Sequence, residues 1–322
     1  MSAAATMTAP GPEKVSPFTR GLRNRLGDLA LIVASGSAIV IVLLILAVIL
    51  GDVLIHGAGR LSWRFFFTAP EQGMTAGGIF PALFGTIALV VLMTLAVVPV
   101  GVATAIYLHE YAPRQSLLTR AVRIAVNNLA GVPSIVFGLF GLGFFIQFVG
   151  GSMDRLFHGG ERVWGQPALV WAALTMAVLT LPVVIVATEE ALRAVPRELR
   201  EASLALGATQ FQTVFRVAVP QSIPGILTGT ILAISRGAGE VAPILFTGVA
   251  YFLPGLPKSL HEPFMHLGNH IYVLSTQSPD VDATKPLLYG TVLVLLILTF
   301  VLNFSAVLVR SRMRRRLAGA GG

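Results

Sequence analysis

Six long apolar stretches recur along the chain, five of them without a charge. Twenty-three uncharged residues separate Asp28 from Asp52, centred on the run Ile39 to Leu50. A second stretch lies between Glu71 and Glu110 and is apolar from about Ile79 to Leu108. Arg123 and Asp154 bracket a third, and Arg162 and Glu189 a fourth. The fifth, from about Pro224 to Val249, is broken by Arg236 and Glu240, and the sixth lies between Lys285 and Arg310. A helix of about 20 residues crosses the hydrocarbon of a bilayer. Only helices and closed barrels satisfy their own backbone there, and no barrel-like alternation is present. The pattern predicts an all-α integral membrane protein with six transmembrane helices. The first stretch is too long for a signal-peptide core and no small-x-small site follows it, so it is expected to be retained.

Composition agrees with this. Hydrophobic residues make up 55% of the 322 and charged residues 12%, against about 25% charged in soluble domains. The absence of cysteine excludes disulfides, thiolate zinc sites and thiol catalysis. A net charge of +8 would suggest nucleic acid if the charges formed a patch, but their placement says otherwise. Sixteen Lys and Arg fall in the N-terminal tail, the 109–123 and 189–222 loops and the C-terminal tail; six fall in the other three loops. That bias puts both termini and the 189–222 loop in the cytoplasm, and no nucleic-acid partner is expected. Residues 1–27 read as a disordered cytoplasmic tail and 28–56 as the first transmembrane helix. A core of five further helices is expected over 75–310, with a basic cytoplasmic tail at 311–322. The outer loop 250–286, interrupted by Pro254, Pro257, Pro263, Pro279 and Pro286, suits a lid or docking element.

The loop 189–220 holds the most specific local pattern. Pro196 suits a first helical turn, where its missing N–H costs nothing. Leu199, Ala202, Ser203 and Leu206 then recur at i, i+3, i+4, i+7, with Arg197, Glu198, Arg200 and Glu201 around them. Gly207 follows, placed for a left-handed C-cap. The spacing predicts a short amphipathic helix that stops sharply. Two readings stay open: a connector lying on headgroups or on its own bundle, and a helix that docks into a groove of a cytosolic partner.

The string Glu201-Ala202-Ser203, three residues, Gly207, nine residues, then Val217-x-Val219-Pro220 resembles the EAA loop of ABC importer permeases, with Ser in place of the second Ala. Asn127 to Gly141, Arg236 to Pro243 with Phe246-Thr247-Gly248, and His270 to Pro279 are similar to segments of the PstA-type phosphate permeases. The resemblance covers roughly residues 75 to 310. One departure is Val186, where many members carry an Arg before the Thr-Glu pair. The resemblance implies a type I ABC importer permease (MetI-like) fold and a multi-pass protein of the bacterial inner membrane. It implies an ATPase-coupling role for Glu201, Ala202, Ser203, Leu206, Gly207 and Pro220. Its implied partners are a PstC-like permease, two cytosolic ATPases and an extracytoplasmic phosphate-binding protein.

Two charges inside the fifth stretch carry the candidate chemistry. Arg236 falls about halfway along it, where an Arg at the bilayer centre costs roughly 2.5–3.5 kcal/mol on insertion scales. Glu240, four residues on, shares its helical face. The pair should face the bundle or a water-filled path; it is either a structural lock or a guanidinium whose forked donors match the oxygens of a passing oxyanion. Asn127, Asn128 and Ser134 at the third stretch join Arg236 and Glu240 as candidate path residues, though polar groups there more often hold helices together. His261, His266 and His270 have weak metal-ligand spacing, and no nucleophile–base cluster suggests an enzyme. No G-x-x-x-x-G-K-[ST] string occurs, so this chain is expected to hold no cofactor, with ATP and Mg bound by a partner. The expected function is ATP-driven phosphate import by alternating access. Sulfate or molybdate import and a passive anion channel are the alternatives.

Overall fold

The computed structural model describes residues 22–113 and 115–319, with side chains from 27 to 313. The expected tail as far as residue 21 and the side chains of the basic tail beyond Met313 lie outside the described residues. Among the described residues, six helices are long and apolar enough to span a membrane: Gly27–Ala58, Phe80–Tyr111, Ser134–Phe157, Leu169–Arg193, Gln210–Gly237 and Val281–Met313.

Helix α1, Leu22–Ala58, starts inside the segment expected to be a disordered tail. As far as Asp52 it belongs to a unit of its own, and its residues from Leu29 to Leu50, apolar save for Ser35 and Ser37, are all exposed, as a lipid-facing helix requires. The second unit runs from Val53 onward. It opens with a short helix α2, Trp63–Phe67, and a small antiparallel pair, β1 (Pro70–Glu71) and β2 (Ala76–Gly77). Helix α3, Phe80–Ile106, continues through a π-helical turn to Tyr111.

The third expected span divides. Pro133 disfavours helical backbone at Val132, and the chain breaks between an amphipathic helix α4, Leu117–Leu129, and α5, Ser134–Phe140. Helix α5 continues through a π-helical stretch, Gly141–Gly150, into α6, Gly151–Phe157. Asn127 and Asn128 therefore lie at the exposed end of α4 and outside the spanning helix, a correction to their expected place.

Helix α7, Leu169–Arg193, forms the buried axis of the unit. It packs along α3 and against α10, Val219–Gly237, around Leu89, Met93, Val97, Ala172, Met176, Val184, Ala233 and Phe264. Between α7 and α10 come α8, Arg197–Ala205, and α9, Gln210–Thr213, the latter joined to α10 through a π-helical turn. Helix α11, Leu267–Thr276, and α12, Val281–Gly319, complete the unit, with α11 packed on α12 and α3.

Small residues set the closest approach. Gly225 and Gly229 of α10 lie against Ala191 and Ala187 of α7, so the two helices run antiparallel. A Cβ on Gly225 would come within 2.7 Å of the Ala191 Cβ, and one on Gly229 closer still to that of Ala187. With two small residues a turn apart on each helix, the backbones approach closely, as membrane helices do. Gly229→Ala should destabilise the protein by about 1–3 kcal/mol through overpacking, and adding Ala187→Gly should restore most of that loss. Thermal unfolding of the detergent-purified protein measures both. A double variant no better than the single one would contradict this packing.

Candidate functional site

Helix α10 ends within the bundle. Gly237 touches Met93 and Thr180, where an added Cβ would lie 3.1–3.2 Å from their side chains. Those residues sit near the middles of α3 and α7, so the last turn of α10 lies at mid-depth. The fifth stretch is thus corrected: helix ceases at Gly237, about twelve residues before the expected end, and a series of turns carries the chain on. Ala238, Gly239 and Glu240 donate to Ile234, Arg236 and Gly237; Thr247 and Gly248 donate to Ile244. Thr247 in turn accepts from the Ala168 amide at the start of α7. Ala238, Ile244 and Thr247 are fully buried, so this irregular backbone is shielded by protein, the condition for tolerating it at such depth.

Glycine makes room for these turns. Gly138 of α5 meets the Cα and carbonyl of Pro243, and Gly141 meets Thr175 and Thr247. Any larger residue there would push the turns away from α5 and α7.

Arg236 occupies the final turn of α10. Its expected depth holds, but its expected place halfway along a continuous helix does not, and Glu240 lies past the helix end. The two still face each other, with Nε 3.9 Å from Oε1 and side chains 72% and 25% exposed. That separation is an ion pair without a hydrogen bond. The guanidinium sits where the negative end of the α10 dipole favours a cation, and Arg236 lines a cleft. This cleft, about 270 Å³, is lined by Ser134, Pro133 and Phe137, by Thr180 and Val183 of α7, and by Arg236 and Glu240. Of the five candidate path residues, Arg236, Glu240 and Ser134 meet here. Asn127 lines a different cleft, with Arg123, Val186, Glu189 and Arg193, and Asn128 lines neither.

The expected amphipathic helix forms as α8. Pro196 precedes it as the N-cap residue, with extended backbone, one place earlier than expected. Gly207 has φ +86°; its amide donates to Leu204, and the Ala208 amide donates to Ser203, the paired bonds of a Schellman C-cap. Leu206 is 89% exposed, and Glu201, Ala202, Gly207 and Pro220 are exposed as well. Ser203 turns inward, its hydroxyl 3.0 Å from that of Thr213 in α9. Phe211 and Phe215 pack together on the exposed side, their rings tilted by 39° with centroids 4.5 Å apart.

Anchors of this helix were not evident in the sequence. Arg200 donates to Glu110 at 2.6 Å and to the Leu192 carbonyl at 2.7 Å, and Gln210 donates to the Glu110 carbonyl. Arg123 holds Glu189 at 3.0 Å, while also donating to the Leu108 carbonyl. These pairs join residues 66 and 90 positions apart, beyond the reach of local spacing.

The histidines of the outer segment take another role. His266 and His270 are buried, and burial lowers both to about 4; the nearby Ala238 backbone offsets only part of this for His266. Both imidazoles are therefore neutral near pH 7. His266 Nδ1 accepts from Gly268 as the N-cap of α11. His261 packs against Trp164.

Comparison with known proteins now decides the family. Residues 97–317 match the family model for the binding-protein-dependent transport system inner membrane component. The chain belongs to this permease family. A probable ABC transporter permease of Bacillus subtilis strain 168, YqgI, is 34% identical over 284 residues, covering 84% of this chain and 90% of its own. The phosphate transport system permease protein PstA 1 of Mycobacterium tuberculosis H37Rv is 36% identical over 256 residues, 77% of this chain and 74% of its own. A chain of the bacterial alginate ABC transporter bound to its periplasmic protein superposes with TM-score 0.63 at 17% identity, covering 92% of this permease and 98% of that chain. One of the inward-facing MetNI methionine transporter gives 0.55 at 20%, covering 72% and 94%. The fold is that of a type I ABC importer permease. The permease is a multi-pass membrane protein and no enzyme; ATPase and substrate-binding proteins are separate chains in such importers.

The anchoring of α8 makes a specific expectation for the permease. Arg200→Met leaves the Glu110 carboxylate, 9% exposed, without its cation and should cost roughly 2–3 kcal/mol. Amide exchange across α8 should accelerate, and Glu110→Gln added to Arg200→Met should slow it again. Unchanged exchange in the single variant would show that the pair does not hold α8.

Proposed function

We propose that this chain is the PstA-type subunit of an ATP-driven importer of inorganic phosphate. The observation that carries the reading is Arg236. Its side chain stands at mid-bundle, loosely opposed by Glu240, and lines a cleft. A fork of N–H donors matches two oxygens of a phosphate. A solitary Arg tempered by a carboxylate binds an anion weakly enough to release it, as a pathway must. Relatives named as phosphate permeases, 32–39% identical over half or more of the chain, support phosphate over other oxyanions.

In this reading the chain pairs with a PstC-like permease, and an extracytoplasmic phosphate-binding protein delivers the anion. Both termini and α8 lie on the cytoplasmic side, as the Lys and Arg bias requires. Glu201, Ala202, Ser203, Leu206, Gly207 and Pro220 form or frame the element that two cytosolic ATPases grip, and the exposure of Leu206 and Phe211 suits a surface a partner covers. Asn128 lines neither the Arg236 cleft nor the Arg123 cleft. ATP and Mg belong to the ATPases, which drive the bundle between outward- and inward-open forms. Such a switch works only through contacts that differ between the two forms, so the grip on α8 must change with each cycle.

Arg236→Leu in the reconstituted importer should lower ATP-dependent phosphate uptake by about tenfold to a hundredfold, the loss of a charge-assisted contact, while the ATPases still co-purify. Unchanged uptake would remove Arg236 from the path. Phosphate flux persisting without ATP would favour a channel instead.

A further inference from the structure

A second cleft lies further along α7. Thr180 and Val183 wall the Arg236 cleft, and Val186, Glu190 and Arg193 on the following turns wall the second. On the opposite wall the chain passes from Pro133 and Ala130 back to Asn127 and Arg123. This second cleft, about 230 Å³, adjoins a third of about 690 Å³ that shares Arg123 and Arg193 with it. Thirteen residues of helix separate Thr180 from Arg193, a rise of roughly 20 Å.

The charge in this outermost space is unequal. Arg123, Arg193, Arg197, Arg200 and His109 line it together with two aliphatic residues, and no carboxylate does. Glu189 engages Arg123 and Glu110 engages Arg200, which fixes those two guanidiniums. Arg193 and Arg197 have no ion pair among the described residues. Glu190 lines the neighbouring cleft, so the larger space keeps an excess of positive charge. On α7 the adjoining residues of the two clefts are Val183 and Val186, which offer no side-chain donor. The donors that line the second cleft are Asn127, Arg123 and Arg193. Glu189 Oε1 is buried without a hydrogen-bond partner, an acceptor beside those cations. Hydrogen phosphate carries both anionic oxygens and a hydroxyl, and so suits walls of both signs.

We propose that this Arg-lined vestibule is a second station for inorganic phosphate, with Arg193 as its principal ligand, taking the anion from the Arg236 cleft before release at the end that carries α8. The proposal rests on the reading of the chain as a phosphate permease. The exposure of Arg193 and Arg197 keeps the station weak, because solvent and salt screen it. A weak last site favours departure.

The test is ATP-dependent uptake of labelled phosphate by the complete importer in vesicles, comparing wild type with Arg193→Gln, Arg193→Lys and Arg236→Leu. Arg193→Gln should lower the maximal rate by about tenfold, the loss of a contact to a charged group. Half-saturation, set at the binding protein, should not move. Arg193→Lys, which keeps the charge, should recover most of the rate, and ATPase stimulation should persist in both. Normal uptake by Arg193→Gln alongside a disabled Arg236→Leu overturns the second station and leaves the permease reading standing. Normal uptake by Arg236→Leu instead strikes at that reading. Loss of ATPase stimulation in Arg193→Gln would assign Arg193 to the ATPase contact and overturn the station. So would a defect seen in phosphatidylglycerol vesicles and absent from phosphatidylcholine vesicles, which would assign the vestibule to a lipid headgroup.

Discussion

A helix that stops halfway through a membrane bundle is the constraint from which the remaining structure follows. Backbone groups beyond Gly237 must find partners outside a helix, and Arg236 must find relief for its charge. Successive turns meet much of the first demand, with Ala238, Gly239, Glu240, Ile244, Leu245, Thr247 and Gly248 donating within them. Glu240 and the cleft answer the second. Continuous helix would have buried the same residues more cheaply, but it would have kept the chain from bending around a space that can admit an anion.

That choice sets what the neighbouring helices must be. Gly138 and Gly141 leave room for the turns, and Gly225 and Gly229 hold α10 close against α7. Helix α7 then serves three ends: it is the buried axis, it walls the clefts, and its C-terminus leads directly to α8. Motion of α8 against its anchors at Glu110 and Leu192 is passed to the helix that walls the path. In an importer whose motor is another polypeptide, a rigid link of this kind turns closure of the ATPases into opening of the bundle.

Much of this was legible in the residues. Six apolar stretches, five of them free of charge, announced the spanning helices because hydrocarbon tolerates no other arrangement of such lengths. Gly207 marked the end of α8 because a left-handed cap favours glycine. The depth of Arg236 was readable, since an intramembrane charge is costly wherever it sits. What hydropathy cannot show is where a helix gives way to protected turns: residues 241–249 are as apolar as a helix would be. Pro133 could have separated Asn127 and Asn128 from the third span, but the uncharged run concealed the break. The partners of Glu110 and Glu189 come from distant segments, and no periodicity encodes them.

The account stands on water reaching the Arg236 cleft from alternate sides. Ser134 lines that cleft and the chain has no cysteine of its own, so Ser134→Cys places a single thiol there in this subunit with Arg236 untouched. Its modification by a membrane-impermeant thiol reagent, in the assembled importer, should proceed from the α8 side at rest and from the opposite side once ATP closes the ATPases. A thiol shielded from both sides in both states would contradict the account and leave Arg236 and Glu240 as a structural clasp.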